Sequence, residues 1–158
     1  MPRLTAALAL FLAVSLSACD VFSEVDPPVA AEVTVGATYE GTTLALRDAA
    51  SGEVLYDYLA GGAEIAAEFV DDDSFTARLF VPYEALVASG ETDDVDGDVD
   101  EALAGAYRVE DGAVTFEPDG FSDTFFTDPG WTVDADGGAV RYVGGGEDVE
   151  VVVVLTRR

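Results

Sequence analysis

Ala63-Glu64-Ile65-Ala66-Ala67-Glu68-Phe69-Val70-Asp71-Asp72-Asp73-Ser74-Phe75-Thr76-Ala77-Arg78-Leu79-Phe80-Val81 is the stretch that decides the fold. Ile65, Ala67 and Phe69 fall on one face, against Glu64, Ala66 and Glu68 on the other. After the acidic turn Asp71 to Ser74, Phe75, Ala77, Leu79 and Val81 alternate with Thr76 and Arg78. A period of two residues is the signature of a strand buried on one face. Pro82 ends the second run, because proline has no N–H to give to a ladder. Two strands joined by a short polar turn are therefore expected here, as an antiparallel hairpin.

The same grammar continues on both sides. From Gly36 onward, short alternating runs are separated by Gly and Asp clusters at intervals of about ten residues, the all-β pattern. Upstream, Thr38 to Leu46 offers Tyr39, Leu44 and Leu46 as inward residues, and a change of parity near Gly41-Thr42 predicts a β-bulge. Val54 to Leu59 reads either as a further strand or as a short helical excursion. Downstream, residues 83 to 102 read as a loop, and no stretch of useful length carries a helical period. Tyr107 and Val109 alternate with Arg108 and Glu110. Asp111-Gly112 is a two-residue hairpin turn, and Val114 and Phe116 resume beyond it. Trp131 and Val133 begin another strand, which Asp136-Gly137-Gly138 turns into Val140 and Tyr142. The closing run points Val149, Val151, Val153 and Leu155 inward, with Val152 and Val154 behind them, so it is expected to be partly covered on both sides. Between these strands, Asp119 to Gly130 holds Phe121, Phe125 and Phe126, either as a short capping helix or lid or as a loop tucked over one end.

About eight strands in roughly 120 residues, linked by consecutive short hairpins, predict a small antiparallel up-and-down barrel whose interior packs solid or holds one small ligand. A β-sandwich of two sheets is the runner-up, because alternation does not distinguish a closed sheet from two stacked ones.

The N-terminus carries a different message. Met1-Pro2-Arg3 is a short positive leader, and Leu4 to Ala18 is a weakly polar or apolar run, shorter than the ~20 apolar residues of a membrane span. It closes on Leu16-Ser17-Ala18-Cys19, which holds the chain's sole cysteine. This segment resembles the signal peptide and lipobox of bacterial lipoproteins. The resemblance implies that residues 1–18 are a signal peptide cleaved before Cys19, that the Cys19 thiol takes a diacylglycerol, and that the new amine is acylated. Each buried methylene adds about 0.8 kcal/mol, so two or three chains hold a protein on a membrane. The expected address is the cell envelope, with the domain facing the periplasm or the exterior. Asp20 resembles an inner-membrane retention signal of some bacteria, and the choice of membrane stays open. With Cys19 used for lipid, no disulfide is possible in the mature domain. Residues 19–35, with Asp26-Pro27-Pro28, read as a lipidated tether, extended by about 3 Å per residue where the prolines stiffen it. Residues 36–158 are then the β-domain.

That domain resembles the lipocalin-like domains of small bacterial lipoproteins. The resemblance rests on Gly36-Ala37-Thr38-Tyr39, Leu103-Ala104-Gly105-Ala106-Tyr107, Val114-Thr115-Phe116, Trp131-Thr132-Val133 and the Val-rich strand ending Leu155-Thr156-Arg157. Tyr39 stands where a lipocalin's Gly-x-Trp would place tryptophan. A small apolar ligand is the implied partner, and Tyr39, Tyr107, Phe116, Trp131 and Tyr142 are the residues that would line its pocket. The same inward aromatics also suit a plain core.

Charge narrows the remaining classes. The chain has 7 Arg, no Lys and no His against 32 Asp and Glu, and removing residues 1–18 takes away Arg3 and no acid, shifting the formal charge from -25 to -26. Nucleic acid needs a basic footprint that scattered arginines do not make. Hydrophobic content of 49% argues for a folded domain, and a lysine-free acidic surface suggests adaptation to high salt, where screening removes self-repulsion. Arg78, Arg108 and Arg141 lie mid-strand on outward faces, placed to pair with acids across strands. A metal-like segment spans residues 93 to 101, where Asp94, Asp96, Asp98 and Asp100 surround Gly97. Calcium needs six or more oxygens, but Thr92 and Leu103 fall at the first and twelfth positions of an EF-hand alignment and do not fit it. A looser calcium loop and a solvated acidic loop are the two readings left, and no other cofactor is expected.

With no His, no thiol in the mature domain, no Gly-x-Ser-x-Gly elbow and no phosphate loop, the sequence points away from an enzyme. The leading expectation is a lipid-anchored, lipocalin-like module that binds a small apolar ligand. The alternatives are a solid-core structural or protein-interaction module of the envelope and a calcium-stabilised binding module.

Overall fold

A computed structural model describes residues 31–90, 96–120 and 124–158. Among these residues the strands are β1 (Thr38–Asp48), β2 (Val54–Asp57), β3 (Glu64–Phe69), β4 (Ser74–Val81), β5 (Val99–Glu110), β6 (Ala113–Pro118), β7 (Trp131–Val133), β8 (Ala139–Gly145) and β9 (Val149–Arg157). The hairpin expected from residues 63–81 forms as β3 and β4, in register from Glu64–Phe80 to Phe69–Phe75. From β3 to β9 every strand pairs antiparallel with the next. β9 then returns to β1, from Tyr39–Arg157 to Asp48–Val149. That last ladder closes the sheet and selects the barrel over the sandwich.

The lane beside β1 is not one strand but two. On the edge of β1 away from β9, β3 pairs with Thr38, Tyr39 and Glu40, whereas β2 pairs with Ala45, Leu46 and Arg47. The wall is thus a closed antiparallel eight-strand barrel with β2 as an extra piece, which occupies the same lane before the turn at residues 58–62 leads into β3. The parity change at Gly41-Thr42 is a true bulge, since the β1–β9 register shifts between Gly41 and Thr43. Between β5 and β6, Asp111 (φ 52) and Gly112 (φ 79) both take the left-handed conformation that a tight two-residue hairpin demands.

Two segments depart from expectation. The region read as a loop over 83–102 contains a helix, α1 (Tyr83–Ser89), and the first part of β5. The helix is seven residues long and buries Ala85 and Leu86, too little to register as a period. The inward positions at the start of β5 include Glu101 and Gly105, which hide the alternation. Among the described residues of Asp119 to Gly130, a 3-10 turn (Phe125–Thr127) buries Phe126 completely; Phe121 lies outside the described residues.

Up-and-down connectivity gives the barrel two different ends. One end, the turn end, gathers the β3–β4, β5–β6 and β7–β8 turns; the other, the helix end, gathers α1, the 3-10 turn and the β8–β9 turn. Residues 31–37 lie on the turn end. Gly36 N donates to Phe69 O (2.6 Å), Thr34 N to Tyr39 Oη (2.9 Å), and Arg157 Nη1 to Thr34 Oγ1 (2.6 Å). Ala31 and Val33 pack on the core, so the stretch read as tether already belongs to the folded body from Ala31 onward. No helix among the described residues is long and apolar enough to cross a membrane.

Candidate functional site

All five aromatics proposed to line a pocket point into the barrel, and the structure joins them in one connected stack. Tyr39 meets Phe69 edge-on at 5.2 Å between ring centroids, and Phe69 meets Tyr107 at 4.7 Å. Phe116 bridges to Trp131 at 5.4 Å, and Trp131 to Tyr142 at 5.2 Å. Phe126, from the 3-10 turn, stacks on Trp131 at 5.3 Å and fills the helix end. These separations are those of rings in direct contact, which adds about 0.5–1.5 kcal/mol per pair beyond burial.

The polar tips of this stack are committed to the protein's own loops. At the turn end, Tyr39 Oη donates to Gly137 O (2.7 Å) and Tyr107 Oη to Asp71 O (2.9 Å). Facing the helix end, Trp131 Nε1 donates to Phe125 O (3.0 Å) and Tyr142 Oη to Asp128 Oδ2 (3.0 Å). Burial, followed by the Asp128 hydrogen bond, pushes the Tyr142 hydroxyl up to about 12. Burial also raises Tyr107, with the acids Asp72, Asp71 and Asp73 adding to the effect. The stack therefore serves as a column that pins loops at both ends.

Of the candidate metal ligands, Asp94 lies outside the described residues, as does Cys19, the predicted lipidation site. Asp98 Oδ1 accepts from Tyr83 N (2.8 Å), capping the first turn of α1. Asp100 takes the Arg78 guanidinium at 3.4 Å, and Asp96 is exposed. Among the described residues, no three His, Cys, Asp or Glu side chains converge on a point that would hold an ion. The outward arginines pair as their positions on the strands suggest: Arg78 with Asp100, Arg108 with Glu117, and Arg141 with Asp134 (3.0 Å). The Arg141 bond holds Asp134 below the usual carboxylate range.

A concavity of about 460 Å³ opens in the wall, at a place the sequence did not single out. The β1–β3 ladder stops at Glu40–Ala66 and β1 next pairs on that edge at Ala45–Asp57, so the edge of β1 from Gly41 to Thr43 has no strand beside it. Glycine is required at 41, because a Cβ there would overlap the Ile65 methyl and lie 3.1 Å from its carbonyl oxygen. Ile65, Ala63 and Leu59 give the cleft an apolar floor. Charges border it: Glu64 and Arg78 on one bank, and on the other the Glu40–Arg158 ion pair (2.6 Å). The sequence did hold a signal for this cleft, namely the bulge at Gly41-Thr42 followed by an interrupted strand at 54–69.

The chain matches no protein family, no curated protein and no solved structure, so this geometry and the sequence are what a functional reading stands on.

Proposed function

We propose that the protein is a lipid-anchored lipoprotein of the cell envelope whose barrel is a non-catalytic structural or interaction module. The observation that carries the solid-core part of this reading is the aromatic column, in which Tyr39, Tyr107, Phe116, Trp131 and Tyr142 occupy the interior and bond their own loops. A ligand taken into the barrel would have to displace ring contacts and break those bonds. This favours a module with a packed interior over a lipocalin-like carrier. The anchoring part rests on the lipobox sequence ending at Cys19 and on the signal-like run before it. The acidic surface fits adaptation to high salt: Glu64, Glu68, Glu110 and Glu117 all stand exposed on outward strand positions.

Expression of the full chain in a bacterial host fed a clickable fatty acid tests the anchor. Label on the wild type that vanishes in Cys19→Ser, with the variant leaving the membrane fraction, is the expected result; equal labelling of both overturns it. Native mass spectrometry of the detergent-released protein tests the solid core, and a co-purifying apolar molecule lost on Trp131→Phe would restore the carrier reading. Salt adaptation predicts a melting temperature that rises from low to molar salt, and a flat profile would remove that explanation of the acids.

A further inference from the structure

We propose that the wall cleft at Gly41 binds a small zwitterion with an apolar body, of the class of a free apolar amino acid or a dipeptide. The cleft lies where the lane beside β1 passes from β2 to β3. Gly41 lets the Ile65 methyl pack against the β1 backbone and form the floor, and Ala66, in register with Glu40 on one side and Arg78 on the other, leaves a dip between two charged neighbours. Its volume of about 460 Å³ falls in the range of small-molecule sites, roughly 300–1,000 Å³. The floor at Ile65 is apolar, and β1 lines the cleft at Glu40 and Gly41, where its pairing with β3 stops.

The rim sets the ligand's charge. Glu40 and Arg158 neutralise one another at 2.6 Å and form a closed bank. On the opposite bank, Arg78 is 62% exposed and reaches Asp100 only at 3.4 to 3.5 Å, the long end of a hydrogen bond, so its guanidinium is open to a better acceptor. Glu64, two residues before Ala66 on the same outward face, carries no ion pair among the described residues. A carboxylate on Arg78 and an ammonium on Glu64 would straddle Ala66 with the apolar body over Ile65. A simple anion would be repelled by a chain of formal charge -25. A simple cation would be drawn to acids over the whole surface and gain nothing specific here. A molecule with no net charge escapes both effects and uses both rim residues.

The test is isotope-edited NMR of the full chain in detergent, titrated with L-leucine and leucyl-leucine as probes. Isocaproate lacks the ammonium and isoamylamine lacks the carboxylate, so they serve as single-charge controls. Saturable shifts centred on Gly41, Ala63 and Ala66 are expected for at least one zwitterion, with each control about tenfold weaker, as loss of one charge-assisted hydrogen bond predicts. Arg78→Gln and Glu64→Gln lie on the exposed outer face and should each weaken binding by a similar factor. Ala66→Trp should abolish it, and Ala66→Leu provides a milder block if the tryptophan disturbs the wall. No shifts at tens of millimolar, shifts centred elsewhere, controls that bind as well as leucine, or binding that survives both Arg78→Gln and the Ala66 block would each overturn the site. The outcome is independent of lipidation at Cys19, which Cys19→Ser tests separately.

Discussion

The two sides of the barrel obey different rules. Along β3, β4 and β5 each ladder runs unbroken, from Glu64–Phe80 to Phe69–Phe75 and from Ser74–Ala106 to Val81–Val99. Across the β1 edge, the neighbouring lane is split between β2 and β3, and the ladder is interrupted from Gly41 to Thr43. Both sides face the same aromatic column. The contrast teaches that this barrel does not rely on continuous hydrogen bonding around its circumference. Side chains from both sides meet in the middle, and that shared packing lets one side be opened where a concavity forms.

The sharpest way to break this contrast is to weaken what the sides share. Trp131→Ala removes a ring that touches Phe116, Phe125, Phe126 and Tyr142. It should cost about 3–5 kcal/mol in urea-induced unfolding; a loss under about 1 kcal/mol would mean that the column does not hold the two sides together. Next comes alkaline pH. The Tyr142 hydroxyl is held up to about 12 in the folded protein, against about 10 in the unfolded chain. Between those values the unfolded state releases the proton first, so stability is full below pH 10 and falls as pH rises toward 12. The loss stays under about 2 to 3 kcal/mol, because solvent at the partly buried hydroxyl screens some of the effect, and Tyr142→Phe should reduce that part of the profile. Gly41→Ala acts first on the open side. Overpacking against Ile65 should cost about 1–3 kcal/mol, and hydrogen exchange should speed up along β1 while Tyr107 and Val109, on β5 and away from Ile65, stay protected. If exchange rises equally on both sides, the two do not differ in the way described. The smallest effect belongs to the surface: Arg108→Ala removes the exposed pair with Glu117 and should change stability by less than about 1 kcal/mol.

Much of the fold was legible because half-buried strands advertise themselves. Ile65, Ala67 and Phe69 against Glu64 and Glu68 needed no neighbour to be read, and Asp111-Gly112 named its own turn. The bulge at Gly41-Thr42 was visible as a slip in parity. Closure was expected from the run of short hairpins and from the strand number, and the barrel forms; the register that closes it, Tyr39 with Arg157, was not legible, because it depends on how twist and stagger accumulate around the sheet. α1 was missed because Ala85 and Leu86 alone face the core, and the beginning of β5 because Glu101 and Gly105 occupy inward positions. The aromatics were identified as inward correctly, yet a list of inward rings does not say whether they surround a space or touch one another. The cleft was harder still. Glu64 and Arg78 share one hairpin, but Glu40 and Arg158 come from the two ends of the domain, and Arg158 reaches the same rim only after the barrel has closed.

The way residues 31–37 lie on the turn end has a mechanical consequence. Any pull applied through the chain before Ala31 meets first the packing of Ala31 and Val33 and then the contacts from Thr34 to Tyr39 and Arg157 and from Gly36 to Phe69. These are single bonds loaded one after another, so they open like a zip, whereas β1 is held on its β9 edge by a ladder that must slide as a whole. The strap is therefore placed to act as a fuse, yielding and lengthening before the β1–β9 ladder takes up the load.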